Sequence, residues 1–456
     1  MSVARAIRSY HELLADARGG ETEEQLTEQL RRRGLFFGDR PLCNVLRPRF
    51  ISPDQYRYLQ ERVGIVLGAL ERVYEAARED ERFRRQLCLA DWEEELIRDD
   101  PGFPEPSPVA RLDAFFVSEE EGLRFTEYNA ETPAGAAYGD LLAYVFLGLP
   151  VMRDFLRSWE VRPLPARHHV LHALLGTYAR WSGRRETPRV VVLDWREVPT
   201  YSEFLVTVDY LKSQGVDCVI ADPRETEYRD GRLWAGGGPV DLIYKRVLIS
   251  ELVERGGLDH PVVRAVRDGA VCMVNPFRCK ILHKKASLAV LSDECNGELF
   301  TPAQRAAVRT HVPWTRVVEE RGTEFDGEHI DLVPWIAENR ERLVLKPNDE
   351  YGGTGVVLGW ETDAEEWERA LRPALENPYI VQERIVLPSE EYPAMANGKV
   401  EFAERMLDTA PFVFHGSYMD GCMTRLASDP LLNVSAGTGS TVPTFVVEPR
   451  NGAGGG

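Results

Sequence analysis

Lysine is scarce in this chain. Of 55 basic residues only seven are lysine (Lys212, Lys245, Lys280, Lys284, Lys285, Lys346 and Lys399), so arginine carries nearly all the positive surface charge. A lysine retained against that background is worth locating, because its compact ammonium does what a guanidinium does not. Positive charge as a whole is also short: the formal net charge is −18, which speaks against nucleic acid as a partner. The seven cysteines contain no C-x-x-C pair, which excludes the usual zinc and redox patterns and reads as free thiols in a reducing compartment. No run of 18 apolar residues is present, so no membrane span is expected. The opening segment "MSVARAIRSYHELLADARGG" lacks an uninterrupted apolar stretch, and a cytoplasmic location is the expectation. Internal repeats, a G-x-S-x-G elbow, an H-E-x-x-H pair and a dinucleotide fingerprint are all missing.

What is present is 456 residues, enough for two or three domains of α/β character. Ser52-Pro53 caps a helix whose apolar positions run from Leu59 to Ala77 at helical spacing. A proline-rich connector, 99–108, precedes "ARLDAFFVSEEEGLRFTEYNAETPAG", which reads as two strands joined by a polar turn at 119–122. Residues 141–180 read as helical, broken at Pro163 and Pro165. "RVVVLDW" (189–195), a helix over 201–214 and "DCVIADP" (217–223) form a βαβ unit, with a further strand at 240–247. Then come a helix over 281–292, a hairpin over 343–360, a helix over 361–376 and a strand over 378–388. Strands alternating with the glycine turn 435–440 follow, and 451–456 is a loose tail.

The hairpin "LVLKPNDEYGGTGVVLGW" holds Lys346 and the glycines Gly352, Gly353 and Gly355 between two apolar segments. It reads either as a long hairpin loop or as a backbone that approaches an anion, with glycine N–H groups and a lysine aimed at phosphates. Lys284 and Lys285 begin a helix, and Lys346 ends a strand; two lysines on one polyphosphate would be a strong arrangement. Solvated surface positions remain the alternative for Lys280 and Lys284. On the "TEYNAET" strand Glu127 and Asn129 share a face, and Arg111 and Asp113 repeat the spacing on the neighbouring strand. Such oxygens suit Mg²⁺, which keeps phosphates in the rest of its shell. His168, His169 and His172 lack a nearby acidic or cysteine partner and read as solvated or capping residues.

The order Arg-x-Asp, Glu-Tyr-Asn, a lysine-led helix and Lys-Pro-x-x-Glu-x-Gly-Gly-x-Gly resembles the circularly permuted ATP-grasp ligases. Glutathionylspermidine synthetases and eukaryotic-type glutathione synthetases are members, and the resemblance covers roughly 105–445. It implies an ATP-grasp-like fold with a Rossmann-like substrate domain and an N-terminal helical segment. The divisions expected are 1–104 helical, 105–185 first core part, 186–275 substrate domain, 276–377 lid, 378–450 second core part and 451–456 tail. The resemblance further implies ATP and Mg²⁺ as cofactors. Glu127, Asn129 and Glu350 would be metal ligands with Asp113 an additional one, and Lys285 and Lys346 would hold the phosphates under the glycine loop. Gln382 and Glu383 would lie on the strand that reads adenine, Arg111 would stabilise phosphoryl transfer, and Arg425 with the 435–440 turn would cover the acceptor site. The implied activity is amide formation from a small carboxylate and an amine (amino acid, peptide or polyamine). No dedicated nucleophile is needed, since phosphoryl transfer is chiefly positioning and charge neutralisation.

There are departures. No amidase module with a catalytic cysteine fits, the pattern after "EYN" differs from the eukaryotic glutathione synthetases, and neither product is inherited. A kinase acting on a hydroxyl, and a nucleotide-binding regulator without catalysis, stay open as alternatives, as does a homodimer. Specificity is expected in the loops 195–203 and 224–240.

Overall fold

The computed structural model describes residues 2–116, 122–350, 352–428 and 439–450. Most of the turn expected at 119–122, most of the glycine turn at 435–440 and the tail 451–456 lie outside them.

The strand Val109–Phe116 pairs antiparallel with Leu123–Asn129 in a mixed α/β core. Their register sets Arg111 opposite Asn129 and Asp113 opposite Glu127, so the two polar pairs of the sequence become one four-residue face. On the other side Val109–Phe116 pairs with Ala410–Phe414, which leads through Tyr418–Ala427 to Ser440–Pro449. The helix Pro53–Glu79 packs across this sheet; Ser52 and Gln55 close a reciprocal cap at its start. Residues 1–104 do not stand apart as a segment of their own. Ala6, Tyr10 and Leu46 pack with Phe146 and with Phe445 of the last strand. The region 141–180 contains a strand as well as helices. Trp159–Pro163 follows Pro150–Phe155 and pairs antiparallel with Ser440–Pro449. Its proline sits at the strand's end, where a missing N–H disturbs least.

The expected βαβ unit is part of a parallel sheet in the order Cys272–Val274, Leu242–Lys245, Val190–Leu193, Cys218–Ala221. Tyr201–Ser213 is its first crossover helix. Apart from Lys245 at the end of its strand, its strands are apolar because both faces are covered. Residues 224–240 form a small antiparallel sheet (Glu227–Arg229, Arg232–Ala235, Gly238–Pro239) on its flank.

The hairpin at 343–360 is confirmed: Leu343–Pro347 pairs with Val357–Leu358 and, on its other edge, with Tyr379–Glu383. Thr315–Val317 completes this antiparallel sheet, against which Trp367 of Ala364–Glu376 is buried. The expected helix at 281–292 is two helices, Cys279–His283 and Ala286–Ser292. Lys284 leaves the helical region between them (φ −56°, ψ 129°); both helices pack into the central core, and the second also packs against Thr315–Val317.

Candidate active site

Arg111 and Asp113 leave the same face of one strand and lie almost wholly buried. Arg111 Nε and Nη2 donate to the two Asp113 oxygens at 2.6 and 2.9 Å, and its Nη1 donates to the Ala134 carbonyl at 2.7 Å. Arg425, on Tyr418–Ala427, adds a third contact: Nη2 to Asp113 at 2.7 Å. Its Nε donates to Asp408 at 2.5 Å. Burial pushes the Asp113 carboxyl up, but the two guanidinium groups outweigh it and hold it at about 2. The result is a rigid clamp of two arginines around one carboxylate.

Glu127, opposite Asp113 on the same face, meets Lys285, whose Nζ lies 2.9 Å from its oxygen. Burial opposes ionisation there too, and the Lys285 ammonium keeps the carboxyl below its ordinary value. Lys285 also ties down the glycine loop. Its N–H donates to the Asn348 carbonyl at 2.9 Å, and its Nζ donates to the Glu350 carbonyl at 2.5 Å. The Asn348 side chain accepts from Ala286 N–H at 2.8 Å and donates to the Leu87 carbonyl at 2.9 Å. Gly352, Gly353 and Gly355 follow with φ of +64°, +78° and +69°, the left-handed region that glycine tolerates. At Gly355 a Cβ would also lie 2.7 Å from the Pro347 ring. Lys346 donates to Gln382 Oε1 at 2.7 Å, and Gln382 Nε2 donates to Thr315 Oγ1 at 3.0 Å, which fixes the amide. Desolvation pushes the Lys346 ammonium down to about 8, although Glu127 supports the charge.

Two cavities meet at this face. The first, about 190 Å³, is lined by Lys285, Lys346, Glu350, Gly352, Gly353, Gln382 and Glu383, with Val344, Leu358, Trp360 and Ile385 as an apolar slot. The second, about 300 Å³, is lined by Arg111, Asn129, Tyr138, Asp194, Arg246 and Glu251. Asp113, Glu127, Gly352 and Arg425 line both. Gly355 lines neither and serves the turn. Of the two loops where specificity is expected, 195–203 supplies Val198, Pro199 and Thr200 to the second cavity. The stretch 224–240 supplies nothing, because its own sheet holds it on the far flank.

Three residues read from sequence change character. Lys280 and Lys284 are not solvated: they lie buried among Glu93, Glu131 and Asp349. Asp113 has both oxygens taken by arginines, which leaves it poorly suited to ligate a metal. No spacing in the sequence signals this buried cluster, because its members come from four distant segments. Glu131, His283 and Asp349 bring ligand atoms within 4.8 Å of one another, yet Lys280 Nζ already lies 2.6 Å from Asp349 and 3.2 Å from Glu131. An ammonium occupies the position a cation would take. Glu127, Asn129 and Glu350 suit Mg²⁺ better as hard oxygen donors: Glu127 and Asn129 leave one face of their strand, and Glu127 and Glu350 line the same cavity.

Fold and site thus define a mixed α/β protein with two cavities joined at a charged wall. Among solved structures the chain is similar to a glutathione synthetase-like effector from Globodera pallida in its apo form, at 12% identity and a TM-score of 0.58. The match covers 93% of this chain and 96% of that one, and it shows a shared fold. A D-alanyl-alanine synthetase A from Vibrio cholerae matches over 56% of this chain and 74% of that chain, at 10% identity and a TM-score of 0.27, too low to bear on the fold. No family model and no curated protein matches the sequence. Among the described residues no helix is long and apolar enough to cross a membrane.

Proposed function

We propose that this protein is an ATP-dependent carboxylate–amine ligase of the circularly permuted ATP-grasp type, forming an amide through an acyl phosphate and releasing ADP. The observation that carries the reading is the shared wall. A lysine- and glycine-lined cavity with an apolar slot suits a nucleotide, and it opens onto a polar acceptor cavity at Asp113, Glu127, Gly352 and Arg425. The fold shared with the glutathione synthetase-like effector supports it.

In this reading Lys285 and Lys346 bind the phosphates, and the glycine loop donates N–H groups from above. The Glu383 and Arg384 N–H groups already donate to the Trp314 and Arg342 carbonyls at 2.8 and 2.7 Å. Adenine is therefore read just beyond Gln382 and Glu383, along 385–387 beside Ile385 and Leu387. Bound Mg²⁺, held by Glu127, Asn129 and Glu350, supplies neutralisation of phosphate charge. Asp113 is assigned to orienting Arg111 and Arg425, which face the transferring phosphoryl group already fixed in place. The acceptor carboxylate lies in the second cavity against the same wall. Phosphoryl transfer activates it, and an amine then displaces phosphate.

The test is ADP and phosphate release against pooled carboxylates and amines, with the product weighed by mass spectrometry. ADP formation that requires both an acid and an amine, with an amide product, is expected. A stable phosphorylated product formed without amine would overturn the ligase in favour of a kinase, and no turnover in any pool would leave only nucleotide binding.

A further inference from the structure

The strand Val190–Leu193 ends at Asp194, whose side chain is 6% exposed and lines the second cavity. Oδ1 accepts the Trp195 N–H at 2.8 Å. The Trp195 indole reaches across to Glu251, donating to Oε2 at 2.8 Å. One tryptophan thereby holds two carboxylates on one end of the cavity. Neither makes an ion pair among the described residues. Arg246, also on this wall, is spent on backbone: it donates to the Pro133 carbonyl at 2.7 Å and the Thr132 carbonyl at 3.2 Å. Every other charged side chain of the cavity wall is paired. Arg111 and Arg425 share Asp113, and Glu127 has Lys285.

A second observation points to a ligand here. His283, 5% exposed, lines the same cavity, and neither of its ring nitrogens has a hydrogen-bond partner. Its nearest carboxylate oxygens, on Glu131 and Asp349, stand off at 3.6 and 3.9 Å. Buried polar groups are rarely left this way without something to meet. The same cavity is lined also by the apolar Val198, Pro199 and Leu248. Unpaired carboxylates beside apolar walls suit an ammonium on an aliphatic stem better than a hydrated metal ion.

We propose that Asp194 and Glu251 form the amine-binding end of the acceptor cavity, with Asp194 accepting the proton of an incoming primary ammonium. This rests on the ligase reading above. The step balances as follows. The ammonium gives one proton to the Asp194 carboxylate, and its nitrogen attacks the acyl-phosphate carbon. The C–N bond forms and the bond from carbon to the phosphate oxygen breaks, its electron pair leaving on phosphate. The second nitrogen proton goes with the phosphate, giving amide, protonated Asp194 and hydrogen phosphate. Burial and the Glu251 charge raise the Asp194 carboxyl to about 7, against the Trp195 N–H, Arg246 and Lys245, which favour its ionised form. A base near neutral pH is matched to such a transfer.

The experiment uses the full chain with ATP, Mg²⁺ and the carboxylate found by the screen above. Two nucleophiles compete as probes: hydroxylamine, which is uncharged at pH 7 and needs no base, and 1,4-diaminobutane, which arrives as an ammonium. Asp194→Asn should lower amide formation about 100-fold and hydroxamate formation by far less, and it should abolish an acidic limb near pH 7 in the amide profile. Glu251→Gln should raise the KM for the diamine about 10-fold and leave the limb in place. Equal loss of both products in Asp194→Asn, or an unchanged amide profile, overturns the proposal alone. Absence of hydroxamate with the parent protein overturns the ligase reading and takes the proposal with it.

Discussion

Two groups of lysines touch in sequence at the adjacent Lys284 and Lys285 and share almost nothing in their electrostatics. Lys245, Lys280 and Lys284 face Glu93, Glu131 and Asp349, three ammoniums against three carboxylates, all buried or nearly so. Lys280 alone touches all three acids, and they hold it protonated against burial. Lys285 and Lys346 share one half-buried carboxylate, Glu127, and among the described residues Lys346 donates to the Gln382 amide. One group is neutral by pairing and closed. The other keeps a surplus of positive charge and opens onto a cavity. Lysine scarcity drew attention to both, but only the count of partners separates an anchor from a binding group. The anchor has its own use: Asp349 is the residue before Glu350, so the closed cluster fixes the base of the loop that the open pair serves.

The largest expected effect tests the closed group. Lys280→Ala leaves Glu131 and Asp349 short of their main counter-charge, and unfolding in urea should show a loss of about 3–5 kcal/mol. A loss below 1 kcal/mol would erase the contrast between the two groups. The open group should respond in binding and not in stability. Lys346→Met should weaken ATP binding by about 1.5–3 kcal/mol in calorimetry, roughly 10- to 150-fold, with no fall in the unfolding midpoint. An unchanged affinity would remove Lys346 from the nucleotide site.

The smallest effect is a pH dependence, and its sign follows from the direction of the Lys346 shift. The folded protein holds this ammonium at about 8, below the roughly 10.4 of an unfolded lysine. Its charge therefore costs stability below pH 8, and the cost fades as pH rises from 8 towards 10.4. At pH 7 the Met variant should melt at or above the parent, and the gap should close across that window. A gap that widens with pH would mean that Lys346 is stabilised by a partner and belongs with the closed group.

The sequence by itself determined the local parts. Alternation on two strands set Arg111, Asp113, Glu127 and Asn129 on shared faces, and continuous apolar runs marked the parallel sheet. The glycines that require positive φ marked the loop after Lys346. Each of these follows from periodicity or backbone sterics, which act over a few residues and are written in order. Only the tertiary structure decided what each charged group meets. It turned Asp113 from a metal ligand into the centre of an arginine clamp, buried Lys280 and Lys284 among acids drawn from 93, 131 and 349, and left Asp194 unpaired at the end of a cavity. It also moved the 224–240 segment away from the site. The physical reason is that a charge in a low-dielectric interior is governed by neighbours within a few ångströms. Those neighbours are delivered by chain segments hundreds of residues apart, whose meeting no spacing in the sequence encodes.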